Sequence, residues 1–134
     1  MKRMLAALCV AWAAASAVGQ SYVAELWSND PERPAGGLLW ITVDRFSHTF
    51  AGGVSIEDAP EWEGLTLVGW EISSSPWWWY GWTYRWELRD SQSRVVEWGL
   101  LGSEIRLGSS ISEPDYFGFE PYSGGSWSGV LRRW

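Results

Sequence analysis

The chain predicts an all-β domain, a small antiparallel β-sandwich or β-barrel of about eight strands, preceded by a cleaved signal peptide. Three observations carry that expectation. Beyond the first twenty residues, apolar and polar residues alternate with period two in short runs. Turn-forming clusters punctuate the runs: Asn29-Asp30-Pro31-Glu32-Arg33-Pro34, Asp58-Ala59-Pro60, Ser73-Ser74-Ser75-Pro76, Asp90-Ser91-Gln92-Ser93 and Ser123-Gly124-Gly125. Aromatic side chains are abundant, with 13 Trp, 5 Tyr and 4 Phe in 134 residues. Each buried indole removes on the order of 200 Å² from water, so a core can order a chain of this length.

The N-terminal segment reads as an address. Lys2 and Arg3 form a short positive region, Met4 to Ala14 an apolar run, and Ala15-Ser16-Ala17 or Ala17-Val18-Gly19 a small-x-small cleavage site. The run is shorter than the roughly 20 apolar residues of a spanning helix. The expected organisation is therefore a signal peptide over residues 1–19 and one domain over 20–134. A bacterial protein that is secreted, periplasmic or held at the cell surface is implied. Cys9 departs with the leader, so no disulfide staples the mature domain and its core must suffice. Losing Lys2 and Arg3 takes the formal charge from −6 to −8, which excludes a basic nucleic-acid-binding face. No later segment is apolar enough to span a membrane as a helix.

The expected strands are Ser21 to Trp27, Gly37 to Phe46, Thr49 to Ile56, Leu65 to Ser73, Trp78 to Arg89, Arg94 to Leu101, Glu104 to Leu107 and Ser126 to Trp134. The cleanest is Trp78 to Arg89. One face carries Trp78, Tyr80, Trp82, Tyr84, Trp86 and Leu88; the other carries Trp79, Gly81, Thr83, Arg85, Glu87 and Arg89. A three-residue loop at Ser91 to Ser93 returns the chain with Val96, Trp98 and Leu100 as the buried set. Leu88 then faces Val96, Trp86 faces Trp98 and Tyr84 faces Leu100. On the outer face that register sets Glu87 against Glu97, with Arg85 and Arg89 diagonal to them. Either a solvated Arg/Glu lattice or a polar contact site results.

The segment Trp77-Trp78-Trp79 poses the sharpest functional question. One sheet face cannot absorb three consecutive indoles. If Trp78 is core, Trp77 and Trp79 either pack beneath a loop or stand exposed beside Arg85, Glu87 and Glu97. An exposed indole flanked by polar groups is the chemistry of sugar recognition, because its flat face stacks on the apolar face of a pyranose ring. Ligand binding is thus expected at Trp77, Trp79, Arg85, Glu87 and Glu97.

Other chemistry is thin. Glu57, Asp58, Glu61 and Glu63 crowd around Pro60 without the spacing of a calcium loop, and read as a solvated turn. His48 is the single imidazole, and reads as a bend residue between Phe46 and Phe50. With no mature Cys, no metal or cofactor is implied. No Gly-x-Ser-x-Gly elbow accompanies the serines. An enzymatic reading rests on Glu87 and Glu97 as opposed carboxylates of a retaining glycosidase, about 5 Å apart. An outer-membrane barrel ending at Trp134 is a further reading. It conflicts with several strands shorter than the roughly 9 to 11 residues needed to cross, and with Arg132, Val130, Ser128 and Ser126, which counted back by twos from Trp134 are not a lipid-facing stripe. The leading expectation is a non-catalytic glycan- or ligand-binding module. Its rival is a self-assembling subunit of a surface layer or filament, joined through aromatic patches and unpaired strand edges.

Overall fold

In the computed structural model, residues 19–73, 81–109 and 115–134 are described. Eight antiparallel strands close into a barrel. They are β1 (Gln20–Ser28), β2 (Gly36–Asp44), β3 (Thr49–Ile56), β4 (Thr66–Ser73), β5 (Trp82–Arg89), β6 (Val95–Ser103), β7 (Asp115–Pro121) and β8 (Trp127–Arg133). Each strand pairs with the next, and β8 returns to β1 through Tyr22–Arg133, Val23–Arg132 and Leu26–Gly129. Of the two expected architectures, the chain adopts the barrel. Residues 1–18 of the proposed leader lie outside the described residues, as do Trp77, Trp78, Trp79 and Tyr80. Among the described residues no helix is long and apolar enough to cross a membrane.

Local chemistry sets the hairpins. In the β2–β3 turn, Asp44 Oδ1 accepts from the backbone N–H of Phe46 at 2.9 Å and of Ser47 at 3.4 Å. Those bonds hold the Asp44 carboxyl below its usual range. His48 follows in the left-handed region at φ 57°, so it is a turn residue, as expected, but the cap is Asp44. Asp90 plays the same part between β5 and β6, accepting from Gln92 and Arg94 at 2.9 and 3.0 Å, with Ser93 left-handed at φ 63°.

One expected strand is missing and an unexpected one takes its place in the order. Glu104 to Leu107 is not a strand, whereas Asp115–Pro121 is. Residues 104–109 form a turn that stoppers one end of the barrel. Leu107 is buried in the core there. The phenolic oxygen of Tyr84 accepts from Leu107 N at 2.8 Å, and that of Tyr22 accepts from Gly108 N at 3.1 Å. Arg106 adds a bidentate pair to Glu71 at 2.9 and 3.0 Å and lies 4.8 Å from the centre of the Trp82 ring. At the opposite end, the 3-10 turn Pro60–Trp62 tucks Trp62 inside, where it meets Trp86 edge-on at 6.4 Å.

The stopper makes a testable demand. Tyr84→Phe leaves the buried Leu107 N–H without its acceptor and is expected to cost about 1–3 kcal/mol in denaturant unfolding. Burial also pushes both phenols above their ordinary value of 10, Tyr84 far more than Tyr22. Above pH 10 the unfolded chain therefore releases phenolic protons that the folded barrel retains, and stability falls as pH rises. The phenolate absorbance of Tyr22 and Tyr84, isolated as the difference from Tyr22→Phe and Tyr84→Phe variants, should appear together with unfolding in an alkaline titration. Ionisation of these two phenols at pH 10 with no loss of structure would contradict this.

Inside, the barrel is filled. Tyr22, Leu39, Ile41, Ile56, Leu67, Tyr84, Trp86, Leu88, Phe117, Phe119 and Trp127 are all buried there. Large rings fit because glycines stand opposite them. Phe50 faces Gly69 across β3–β4, Trp86 faces Gly99 across β5–β6, and Phe117 faces Gly129 across β7–β8. In each case a Cβ on the glycine would occupy the space of that ring. Trp86 also stacks on Phe119, with ring centres 4.4 Å apart and planes 7° from parallel. Its Nε1 donates to Leu100 O at 3.0 Å.

The β5–β6 register differs from expectation by one residue. The loop itself is as expected: Asp90 N donates to Arg94 O and Arg89 faces Val95. A bulge then absorbs Val96, and beyond it Leu88 faces Glu97, Glu87 faces Trp98 and Trp86 faces Gly99. The expected core set is corrected accordingly. Trp86 and Tyr84 are core and Trp82 packs against it, but Trp98 and Leu100 point outward while Gly99 and Leu101 point in. The physical reason is volume. Trp86 occupies the space above position 99, and only glycine there leaves room for it.

Candidate functional site

With rings filling the interior, what remains for recognition is the outer wall. The same alternation that buries Tyr84, Trp86 and Leu88 turns Arg85, Glu87 and Arg89 outward on β5. Glu87 Oε1 accepts from Arg89 Nε at 3.1 Å and Nη2 at 2.6 Å, and Arg85 stands 3.5 Å from the other Glu87 oxygen. Two guanidiniums converge on one carboxylate and fix one another.

The bulge delivers Trp98 to this face. Arg85 lies over the Trp98 ring, 4.1 Å from its centre, and 6.0 Å from the centre of Trp70 on β4. Tyr122, at the end of β7, stacks against Trp98 with centres 4.7 Å apart and planes 19° from parallel. Trp70, Arg85, Trp98 and Tyr122 thus form a layered stack across the wall, with Tyr122 73% exposed at its end. Each cation–π contact adds about 0.5–1 kcal/mol at such a site. Glu120 lies beside the stack, opposite Leu100 on the neighbouring strand, and burial pushes its carboxyl up.

Beside the stack runs a groove of about 460 Å³ across β2 to β5. Ala51 and Val68 supply its apolar floor and Trp70 an indole wall. Asp44, Thr42, Thr49 and Arg89 supply polar groups around it. Arg89 is oriented by Glu87 and Asp44 by the turn amides, so both charges are held in place before any ligand arrives.

The expected ligand-binding residues divide three ways. Arg85 and Glu87 come together on the outer wall. Glu97 does not join them: it faces Leu88, on the opposite side of the sheet from Glu87. The facing carboxylate pair of a retaining glycosidase is therefore absent from these two residues. Trp77 and Trp79 lie outside the described residues. The β1–β8 pairing joins the two edges that an open sheet would expose. The acidic turn contributes Asp58 to an ion pair with Arg33.

Sequence reasoning overlooked Trp70, Trp98, Tyr122 and Asp44 as members of one surface. Trp70 was open to discovery, since it shares parity with Val68 and Ile72 on an assigned strand. Trp98 was hidden by the bulge, and Tyr122 by a strand that went unassigned. No family model, curated protein or solved structure matches the chain.

Proposed function

We propose that the barrel is an exported, non-catalytic module that binds a glycan on its outer wall, in the groove beside Trp70. The observation that carries this reading is the convergence of one indole, one carboxylate and one guanidinium over an aliphatic floor. That set matches a pyranose ring: apolar C–H groups against the indole, hydroxyl groups against Asp44, Arg89 and the two threonines. The Arg85–Trp98–Tyr122 stack backs Trp70 and limits its freedom, which reduces the entropy lost on binding. Glu25, Arg85, Glu87, Arg89, Glu120 and Arg132 on the outer wall, around an apolar interior, weigh against a lipid-embedded barrel, whose order is the reverse.

Tryptophan fluorescence against a panel of soluble polysaccharides tests the reading. Saturable quenching is expected, and Trp70→Ala should weaken it at least ten-fold while thermal unfolding changes little. Equal binding by the Trp70 variant would remove the groove from consideration.

A further inference from the structure

The wall carries a second groove, of about 390 Å³, across β8, β1 and β2. Val23, Leu38 and Val130 form its floor, and Trp27, Glu25 and Arg132 stand around it. The composition repeats that of the first groove: an indole, a carboxylate and a guanidinium over aliphatic side chains. Trp27 is 45% exposed, since its neighbours on the adjoining strands are Gly36 and Ser128. Among the described residues neither Glu25 nor Arg132 enters an ion pair. Both charges therefore stand ready for hydroxyl groups that arrive from outside.

The two grooves share β2, with Leu38 in one and Thr42 in the other. Between them on the same face is Trp40, half-buried, its ring lying across Gly53. The pairing places the three indoles on one diagonal. Trp27 stands opposite Gly36, four residues before Trp40 on β2. Trp40 stands opposite Gly53, and Trp70 is the β4 residue opposite Thr49, four residues back along β3. With a rise of about 3.3 Å per residue and strands about 4.8 Å apart, the successive Cα separations are about 14 Å and about 16 Å. A single sugar ring covers one of these indoles and cannot reach the next.

We infer that Trp27, Trp40 and Trp70 form one continuous track for a linear oligosaccharide of several linked pyranose units, with Glu25–Arg132 and Asp44–Arg89 as polar clamps at its two ends. This inference rests on the glycan-binding reading of the first groove and extends it to the length and shape of the ligand. Once one clamp holds the polymer, its next units sit at high local concentration over the other.

The test is isothermal titration calorimetry with cello-, xylo- and chito-oligosaccharides of increasing length. Affinity for the bound series is expected to rise at least ten-fold once the chain is long enough to run from Trp70 past Trp40 to Trp27. Trp27→Ala should return the long chains to the short-chain affinity and leave the short chains unaffected. Glu25→Gln/Arg132→Gln, which keeps the indole and the floor, should have the same effect. Length-independent affinity that is lost in Trp70→Ala, or long-chain binding unchanged in both second-groove variants, would overturn the track while leaving the first groove standing. No binding of any series by the intact domain would overturn both.

Discussion

Replacing Trp86 by alanine is expected to remove about 3–5 kcal/mol of stability, the range for deleting a large buried aromatic. A domain of this size has about 5–15 kcal/mol in total, so this one change takes about a fifth of it or more. Four contacts are lost at once. The indole stacks on Phe119, meets Trp62 edge-on, covers Gly99 and donates to Leu100 O. Because it joins the β5–β6–β7 wall to the Trp62 stopper, no neighbouring side chain can collapse into the vacancy without moving a strand. Equilibrium unfolding in urea measures the loss as a lower midpoint at similar slope. A drop below about 1 kcal/mol would mean that the ring is not central to the packing.

The second large effect is expected from the smallest residue in that contact. A Cβ at Gly99 would meet both the Trp86 ring and the backbone carbonyl of Glu120 on β7. The ring can tilt, but the carbonyl belongs to a paired strand. Gly99→Ala is therefore expected to cost about 3 kcal/mol, the upper end of overpacking penalties. A double-mutant cycle with Trp86→Leu separates the two contacts. The double variant should be more stable than the sum of the single changes implies, by about 0.5 kcal/mol or more, because only the carbonyl conflict remains. Strict additivity would show that the ring and the glycine are not coupled.

These glycines explain what could and could not be read from the chain. The fold class was legible because alternation and turn chemistry act locally. Thr49–Ile56 begins and ends where expected, and Asp90 and Ser93 close the loop foreseen for them. The β5–β6 register was not legible, because Val96 looks as good a core residue as any Val. Only the volume of Trp86 across the barrel shows that position 99 must be the inward one. Asp115–Pro121 escaped notice for a related reason. Its Phe117 and Phe119 alternate properly, yet Gly118 and the flanking Pro114 and Pro121 read as breakers, and only the partner strands settle the matter. For the site, local reasoning found Arg85 and Glu87 on one face of one strand. It could not bring Trp70, Asp44 and Tyr122 to them, since those meet only after the sheet has curled.

The pairing of β8 with β1 carries a kinetic consequence. Seven of the eight junctions are hairpins between chain neighbours, and each can zip as soon as its turn forms. The eighth joins the two strands most distant in sequence, and its loop-closure entropy must be met before any contact repays it. Folding is thus set to wait on one late event, with a curled seven-junction sheet as the species that waits. In that species β1 and β8 are open edges, and the β8 of one molecule can settle on the β1 of another as readily as on its own. Concentrated refolding should accordingly yield strand-exchanged dimers, while dilution should return monomers.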